Sequence, residues 1–276
     1  MPNGDDLVNR QYESVDLWQK IETGLKAAGK DLNSLTLDDL APIDEFHTRG
    51  RAATSELAAM AQLKPSDLVL DVGCGLGGTA RYLADHHQCC VKGIDLTEAY
   101  ISAGTKLTEF TGLSDRVELL RCSALDLPYE DEWFDIVLTQ HVQMNIADKH
   151  RFYAEVARVL KPGGRFIFHD VFSGGGGPAL YPLPWAEDES FSAMVTAEQA
   201  RATIEKAGLR VAQWLEKVQE SVKFFERVIA RIEAKGLPPL GIHLILGDNA
   251  EDKLRNHARN LSENRLSVVV GSAWKQ

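Results

Sequence analysis

Apolar residues recur at helical spacing near the start of the chain: Val15, Leu17, Trp18, Ile21 and Leu25 predict an amphipathic helix over residues 9–29. A second stripe, Ala53, Leu57, Met60 and Ala61, predicts a helix over about 50–62. Then the rhythm shortens. Leu68-Val-Leu-Asp-Val is a compact apolar run that ends at Gly73-Cys-Gly-Leu-Gly-Gly, and a helical pattern follows through 79–86. The same alternation continues with Cys90-Val-Lys-Gly-Ile-Asp, Val117-Glu-Leu-Leu-Arg-Cys, Phe134-Asp-Ile-Val-Leu-Thr-Gln and Arg165-Phe-Ile-Phe-His-Asp-Val. Helices are expected between them over about 97–111 and 149–160, the latter stopped by Lys161-Pro-Gly-Gly.

Five short apolar runs alternating with helices predict βαβ units and a parallel, doubly wound sheet, with right-handed crossovers. Beyond it the pattern gives a helix over 196–207, a strand over 210–215, and a helix over 221–235 with Phe224, Phe225, Val228, Ile229 and Ile232 on one face. A helix over 250–261 and a final strand, Leu266-Ser-Val-Val-Val-Gly-Ser-Ala-Trp, complete the chain. The expected fold is α/β: a doubly wound, mostly parallel, Rossmann-like seven-stranded sheet with a helical insertion before the last strand. Its expected parts are an N-terminal helical segment (1–49), the core (50–215), the insertion (216–262) and the last core strand (263–276).

Composition narrows the function. Of 276 residues, 44% are apolar and 25% charged, a globular balance that excludes a disordered tail or a disulfide scaffold. A net charge of −10 repels phosphate backbones, so nucleic acid is not an expected partner. No window reaches the roughly 18 apolar residues of a membrane span, and the polar, acidic start lacks the features of a signal peptide. Cys74, Cys89, Cys90 and Cys122 have no CxxC spacing, which fits reduced thiols in the cytoplasm and no metal site. The histidines form no HExxH, and no GxSxG elbow is present.

The strongest chemical signal is Asp71-Val-Gly-Cys-Gly-Leu-Gly-Gly at the end of the first strand. Glycines there let the backbone turn sharply and lie against a ligand. Asp95 follows by about 20 residues, at the end of the second strand, where a carboxylate can accept two ribose hydroxyls. Without a ligand the same residues would make only a tight turn and a solvated acid. Gly73, Gly75 and Gly78 satisfy the dinucleotide pattern GxGxxG by letter, but Asp71 would repel a pyrophosphate and suits an ammonium group instead.

These residues resemble motif I of class I S-adenosylmethionine-dependent methyltransferases. Gly93-Ile-Asp-Leu, Ser123-Ala-Leu-Asp-Leu-Pro-Tyr, Phe134-Asp-Ile-Val-Leu-Thr-Gln and Glu155-Val-Ala-Arg-Val-Leu-Lys-Pro-Gly-Gly-Arg resemble the later motifs in order, over about residues 50–172. The resemblance implies S-adenosyl-L-methionine as cofactor and S-adenosyl-L-homocysteine as product. It puts Asp71 and Gly73 at the methionine end, Gly75 at the close backbone approach and Asp95 on the ribose. Leu96, Ala124 and Leu125 would meet the adenine, and Gln140 the floor near the sulfonium. Phe46-His-Thr-Arg-Gly-Arg resembles the segment laid over the methionine carboxylate, with Arg51 or Gly50 as contact, or Arg51 simply solvated.

Ligands bind beyond the carboxyl ends of parallel strands, so His141, Gln143 and Asn145 after the fourth strand are the expected acceptor-side residues. His141 would be a base or a positioner. His169-Asp170 after the fifth strand is a second candidate pair, able to attract a cation or to bond backbone. Phe224, Phe225 and Trp214 would be core, lid or an aromatic cage for a methylated ammonium.

The whole chain also resembles, more loosely, the sarcosine/dimethylglycine N-methyltransferases. The shared points are the Thr54-Ser-Glu-Leu-Ala helix, the Ala147-Asp-Lys-His-Arg-Phe helix start and the long insertion before the last strand. The implied reaction is methyl transfer to a small-molecule acceptor, an amine nitrogen first, in a monomer or homodimer. Alternatives are C- or O-methylation of a natural product or quinone, a nicotinamide-dependent oxidoreductase, and a non-catalytic cofactor-binding protein.

Overall fold

The computed structural model describes residues 16–276, so Val15 and the start of the first expected helix lie outside the described residues. Two helices, α1 (Leu17–Ala27) and α2 (Leu37–Asp44), precede α3 (Arg51–Ala61). The core then alternates β1 (Leu68–Val72), α4 (Gly78–His87), β2 (Cys90–Asp95), α5 (Glu98–Phe110), β3 (Val117–Arg121), β4 (Phe134–Gln140), α6 (Lys149–Val159) and β5 (Leu160–Ser173). After α7 (Ala197–Lys206) and β6 (Leu209–Glu216) come α8 (Val218–Lys235), α9 (His243–Leu246) and α10 (Ala250–Ser262), and β7 (Leu266–Lys275) closes the sheet.

The strand order is β3-β2-β1-β4-β5-β7-β6. The first five strands are parallel, while β7 runs antiparallel between β5 and β6. Both faces of the central strands are covered, which is why they read as continuous apolar runs. Leu57, Ala58, Leu83 and Ala84 of α3 and α4 pack on Val69, Val91 and Ile136. On the other face Phe152, Val156 and Ile204 of α6 and α7 pack on Leu70, Val137, Phe166 and Phe168. The direction of winding reverses between β1 and β4, which opens a crevice at their carboxyl ends.

Three features depart from the sequence pattern. β5 begins at Leu160, opposite Phe134, and register slips so that Arg165 opposes Ile136. The Lys161-Pro-Gly-Gly turn is therefore an excursion within the strand, with Gly163 at φ +75°. Helix α2 has no long apolar stripe and contains Pro42, but Thr36 and Asp39 form a reciprocal capping box that starts it. Trp214 packs at 5.3 Å from Phe168 and 6.2 Å from Phe172, on the sheet and away from Phe224 and Phe225.

Helices α8 to α10 leave the sheet from β6 and return to β7, and the Lys217 N–H donates to the Val268 carbonyl (2.8 Å) where they depart. α9 meets α1, where a Cβ on Gly24 would lie 2.9 Å from Leu244. No helix among the described residues is long and apolar enough to cross a membrane.

Candidate active site

The glycine loop is shaped by its neighbours. After β1, Gly73 adopts φ +74° and Gly75 φ +54°. A Cβ on Gly73 would sit 2.4 Å from Val142, so the loop after β1 and the loop after β4 interlock. The N–H groups of Gly73 and Cys74 both donate to the Ile94 carbonyl at 2.8 Å. Gly75 has nothing within 4 Å where a Cβ would stand, and its N–H donates to Asp95 Oδ2 at 3.0 Å. Asp95 Oδ1 accepts from Thr97 N–H at 2.9 Å. Behind the loop, the buried Arg81 donates to the Leu76 carbonyl (2.7 Å) and to Asp44 (2.6 Å), tying α2 to it. No motif marks Arg81, since its role depends on contacts distant in sequence.

Beside this loop lies a cavity of about 380 Å³ at the carboxyl ends of β1, β2 and β4. Asp71, Gly73, Gly75, Asp95, Leu96, Ala124, Leu125, Gln140, His141 and Asn145 all line it. Gln140 donates from Nε2 to Thr79 Oγ1 at 2.6 Å, which fixes its amide at the cavity floor.

Two expected site residues are elsewhere. Arg51 is turned away, bonded to Glu45 (2.8 Å), Asp38 (3.2 Å) and the Leu37 carbonyl (2.9 Å). Its ion pair with Glu45 anchors the start of α3; Phe46 and His47 reach the cavity from that segment instead. Gln143 is fully buried and donates to the Val171 carbonyl, so it fastens the β4 loop to β5. Asp170 is likewise structural: it accepts from Val142 N–H (2.8 Å), Gln143 N–H (3.3 Å) and Thr139 (3.2 Å), and burial pushes its carboxyl up to about 7.

Asp71 carries the cofactor test. It is 2% exposed, and its Oδ2 has no hydrogen-bond partner. Burial, and then the charge of Asp95, push its carboxyl up to about 7. An orphaned carboxylate oxygen beside a loop that leaves Gly75 open is complementary to an amino group, and Asp95 stands where a ribose diol would fit. These residues fit S-adenosylmethionine.

His141 follows β4 with φ +54°, and its N–H donates to the His169 carbonyl at 2.8 Å. Its Nε2 receives the Thr48 N–H at 3.4 Å. The His169 ring lies 4.7 Å away and the His47 ring 6.1 Å. Burial, then neighbouring His169, hold His141 well below the usual imidazole range, so it is uncharged at neutral pH and suited to accepting or donating a hydrogen bond.

A second cavity of about 80 Å³ shares Phe46, His47 and His141 with the first. Trp185, Phe224, Phe225 and His257 form much of its wall. Trp185 and His257 carried no recognisable motif, because only the folded chain brings 185 and 257 to residue 46. Among the described residues, no group of three or more His, Cys, Asp or Glu side chains is arranged to hold a metal ion.

Comparison with known proteins agrees with this geometry. Residues 70–168 match the family model described as "Methyltransferase domain". The chain is 29% identical over 230 residues to a sarcosine/dimethylglycine N-methyltransferase of Halorhodospira halochloris, covering 82% of this chain and 80% of that one. In fold it resembles the [4+2]-cyclase SpnF (TM-score 0.72, 21% identity, 99% and 96% of the two chains). It also resembles a Haemonchus contortus phosphoethanolamine N-methyltransferase bound to phosphomonomethylethanolamine and S-adenosylhomocysteine (TM-score 0.76, 18% identity, 100% and 60%). Reversed strand order, the Asp95-closed glycine loop and this family match together identify residues 70–168 as an S-adenosylmethionine-dependent methyltransferase domain.

Proposed function

We propose that the protein methylates the nitrogen of a small-molecule amine. The observation that carries the proposal is the pair of adjoining cavities with His141 in their common wall: one meets the glycine loop, and the other is screened from it by Phe46 and His47. S-adenosylmethionine, when bound, supplies an activated methyl group on a sulfonium. The protein's task is then to orient, desolvate and expose a lone pair. In this reading Asp71 holds the amino group, Asp95 the ribose hydroxyls, and Leu96, Ala124 and Leu125 the adenine. Gln140 forms the floor, and His141 and Asn145 orient the acceptor. Arg51 and Gln143 support the frame.

The named N-methyltransferase relative supports nitrogen as acceptor atom. A second reading, methylation of a hydroxyl or carbon, is favoured by the apolar lining of the smaller cavity, where neutral His141 could accept a hydroxyl hydrogen bond. The likeness to a cyclase is a reminder that the fold alone does not fix the reaction. Of the N-terminal segment 1–49, the described residues 16–49, together with 216–262, are proposed as covers for the core of 50–215 and 263–276. The free cysteines suit a cytoplasmic monomer or homodimer.

The test is calorimetry with S-adenosylhomocysteine and with NAD, followed by an acceptor screen with a deuterated methyl donor read by mass spectrometry. Binding of the former and methyl transfer to an amine are expected. Binding of NAD alone would end the reading.

A further inference from the structure

From the lining of the smaller cavity we infer the substrate class: the acceptor is an amine with a compact apolar body and no carboxylate or phosphate, a proposal that rests on the methyl-transfer reading above. The cavity holds about 80 Å³, roughly half of an engineered apolar cavity of ~150 Å³ that takes benzene, so a branched alkyl group smaller than a benzene ring is the size it suits. Phe46, Trp185, Phe224, Phe225 and Met144 supply flat, apolar surface. Among the described residues no lysine or arginine lines either cavity.

The polar groups at the wall point the same way. His141 and His257 are held uncharged by burial, His257 down to about 3. Glu45 is bonded to Arg51, Thr54 and His47 and is held ionised, so Arg51, which lines neither cavity, is already paired and its charge matched. An anionic acceptor would lose its hydration and find no lysine or arginine among the described lining residues to replace it.

The cofactor escapes this penalty. Its carboxylate travels beside its own ammonium, whereas an N-methylated amino acid must shed the ammonium proton before it reacts, and so reacts as a net anion. The same desolvation helps a plain amine, because burial favours its neutral form and frees the lone pair. Two cations stand behind the site: Lys217 acts electrostatically on His169, and Arg49, with one Nη atom unpaired, acts on both His141 and His169. Arg49 is bound to Glu56, which Lys217 also holds at 2.7 Å, and it lines neither cavity.

The experiment uses a matched pair, N-methylisobutylamine and N-methylvaline, which differ by one carboxylate, with sarcosine as a third ligand. Binding is measured by calorimetry with and without S-adenosylhomocysteine, and kcat/KM by methyl transfer to each. The carboxylate-free member is expected to be favoured at least 100-fold in affinity or kcat/KM, the range seen when a buried polar group has no partner. Val228→Arg puts a cation in the wall of the cavity from a half-buried position on α8 and is expected to narrow the gap at least tenfold. Equal or stronger binding of N-methylvaline or sarcosine, or binding of none of the three, overturns the inference. If a carboxylate wins and Arg49→Met abolishes its advantage, Arg49 has been recruited and the acceptor is an amino acid. Failure to bind S-adenosylhomocysteine would instead overturn the methyl-transfer reading, and the ligand-only titrations would still rank the pair.

Discussion

Asp71→Asn separates the cost of the cofactor site from its use. The substitution keeps the shape of a side chain that is 2% exposed and removes its charge. The carboxyl rises from an ordinary 3.8 to about 7 in the folded protein. At about 1.4 kcal/mol per tenfold in acidity, the ionised form carries a folding penalty of about 4 kcal/mol. The sign follows from which state holds the proton. Below pH 4 both states are protonated and the penalty vanishes. It grows as pH rises from about 4, where the unfolded chain ionises, and is complete above about 7, where the folded protein ionises too. Ligand-free wild type should therefore lose stability across that window relative to Asp71→Asn. Asp170 titrates in the same range but is common to both proteins, so it cancels in the comparison. At pH 8.5 the variant should melt higher by roughly 8 °C, taking about 2 °C per kcal/mol for a chain of this size. Binding should move the opposite way: losing a charge-assisted bond to an ammonium costs about 1.5–3 kcal/mol, or some 10- to 150-fold in S-adenosylhomocysteine affinity. The assays are thermal unfolding by circular dichroism at pH 5 and 8.5, and calorimetry at both. Equal melting temperatures at both pH values, or unchanged affinity, would refute the assignment of Asp71.

Asp95→Ala should weaken S-adenosylhomocysteine binding by one to two orders of magnitude in titration calorimetry, because it removes the ribose acceptor and frees the Gly75 N–H that closes the loop. An unchanged dissociation constant would remove Asp95 from the site. His141→Ala should raise the acceptor KM far more than it lowers kcat, since the imidazole is uncharged well below neutral pH and acts through hydrogen bonding. A 10²–10⁴-fold fall in kcat at constant KM would make it a general base after all. Amide exchange in α8 to α10 should slow when cofactor and acceptor bind together, as expected of a cover whose first helix buries only Ser221, Phe225 and Ile232. Equal protection in the free and ternary states would make these helices a rigid support.

The sheet was legible because a parallel strand buried on both faces writes its sequence as an apolar run, and each run here is followed by turn residues. The glycine loop and Asp95 were legible for a related reason. Backbone that must turn at positive φ and lie open to a ligand admits few residue types, as at Gly73 and Gly75. What the sequence concealed depends on pairing. Arg51 looked like a free cation beside the site until Glu45 and Asp38 claimed it. Gln143 follows His141 by two residues, but the single helical turn after β4 rotates it into the core, where it bonds β5. Trp214 shares an aromatic character with Phe224 and Phe225, yet its strand sets it against a different apolar cluster from theirs. The smaller cavity, proposed to take the acceptor, was the least visible part. Phe46, Trp185 and Phe225 come from three distant segments, each unremarkable alone.

The β6–β7 hairpin has a consequence for how this enzyme could be re-engineered. Its two strands remain hydrogen-bonded up to Glu216 and Val269, so the three helices between them enter and leave the sheet at one place. Such a segment is a cassette: its ends are already joined by the sheet, and replacing it would not require any core strand to move. It supplies Phe224, Phe225, Val228, Ile242, Leu254 and His257 to the smaller cavity, the acceptor wall of the proposal. To the larger cavity it contributes Ile245 alone among the described residues. Libraries confined to residues 218–262 should thus explore new acceptors at nearly constant affinity for the methyl donor. The same arrangement gives natural selection a way to diversify one half of the reaction while conserving the other.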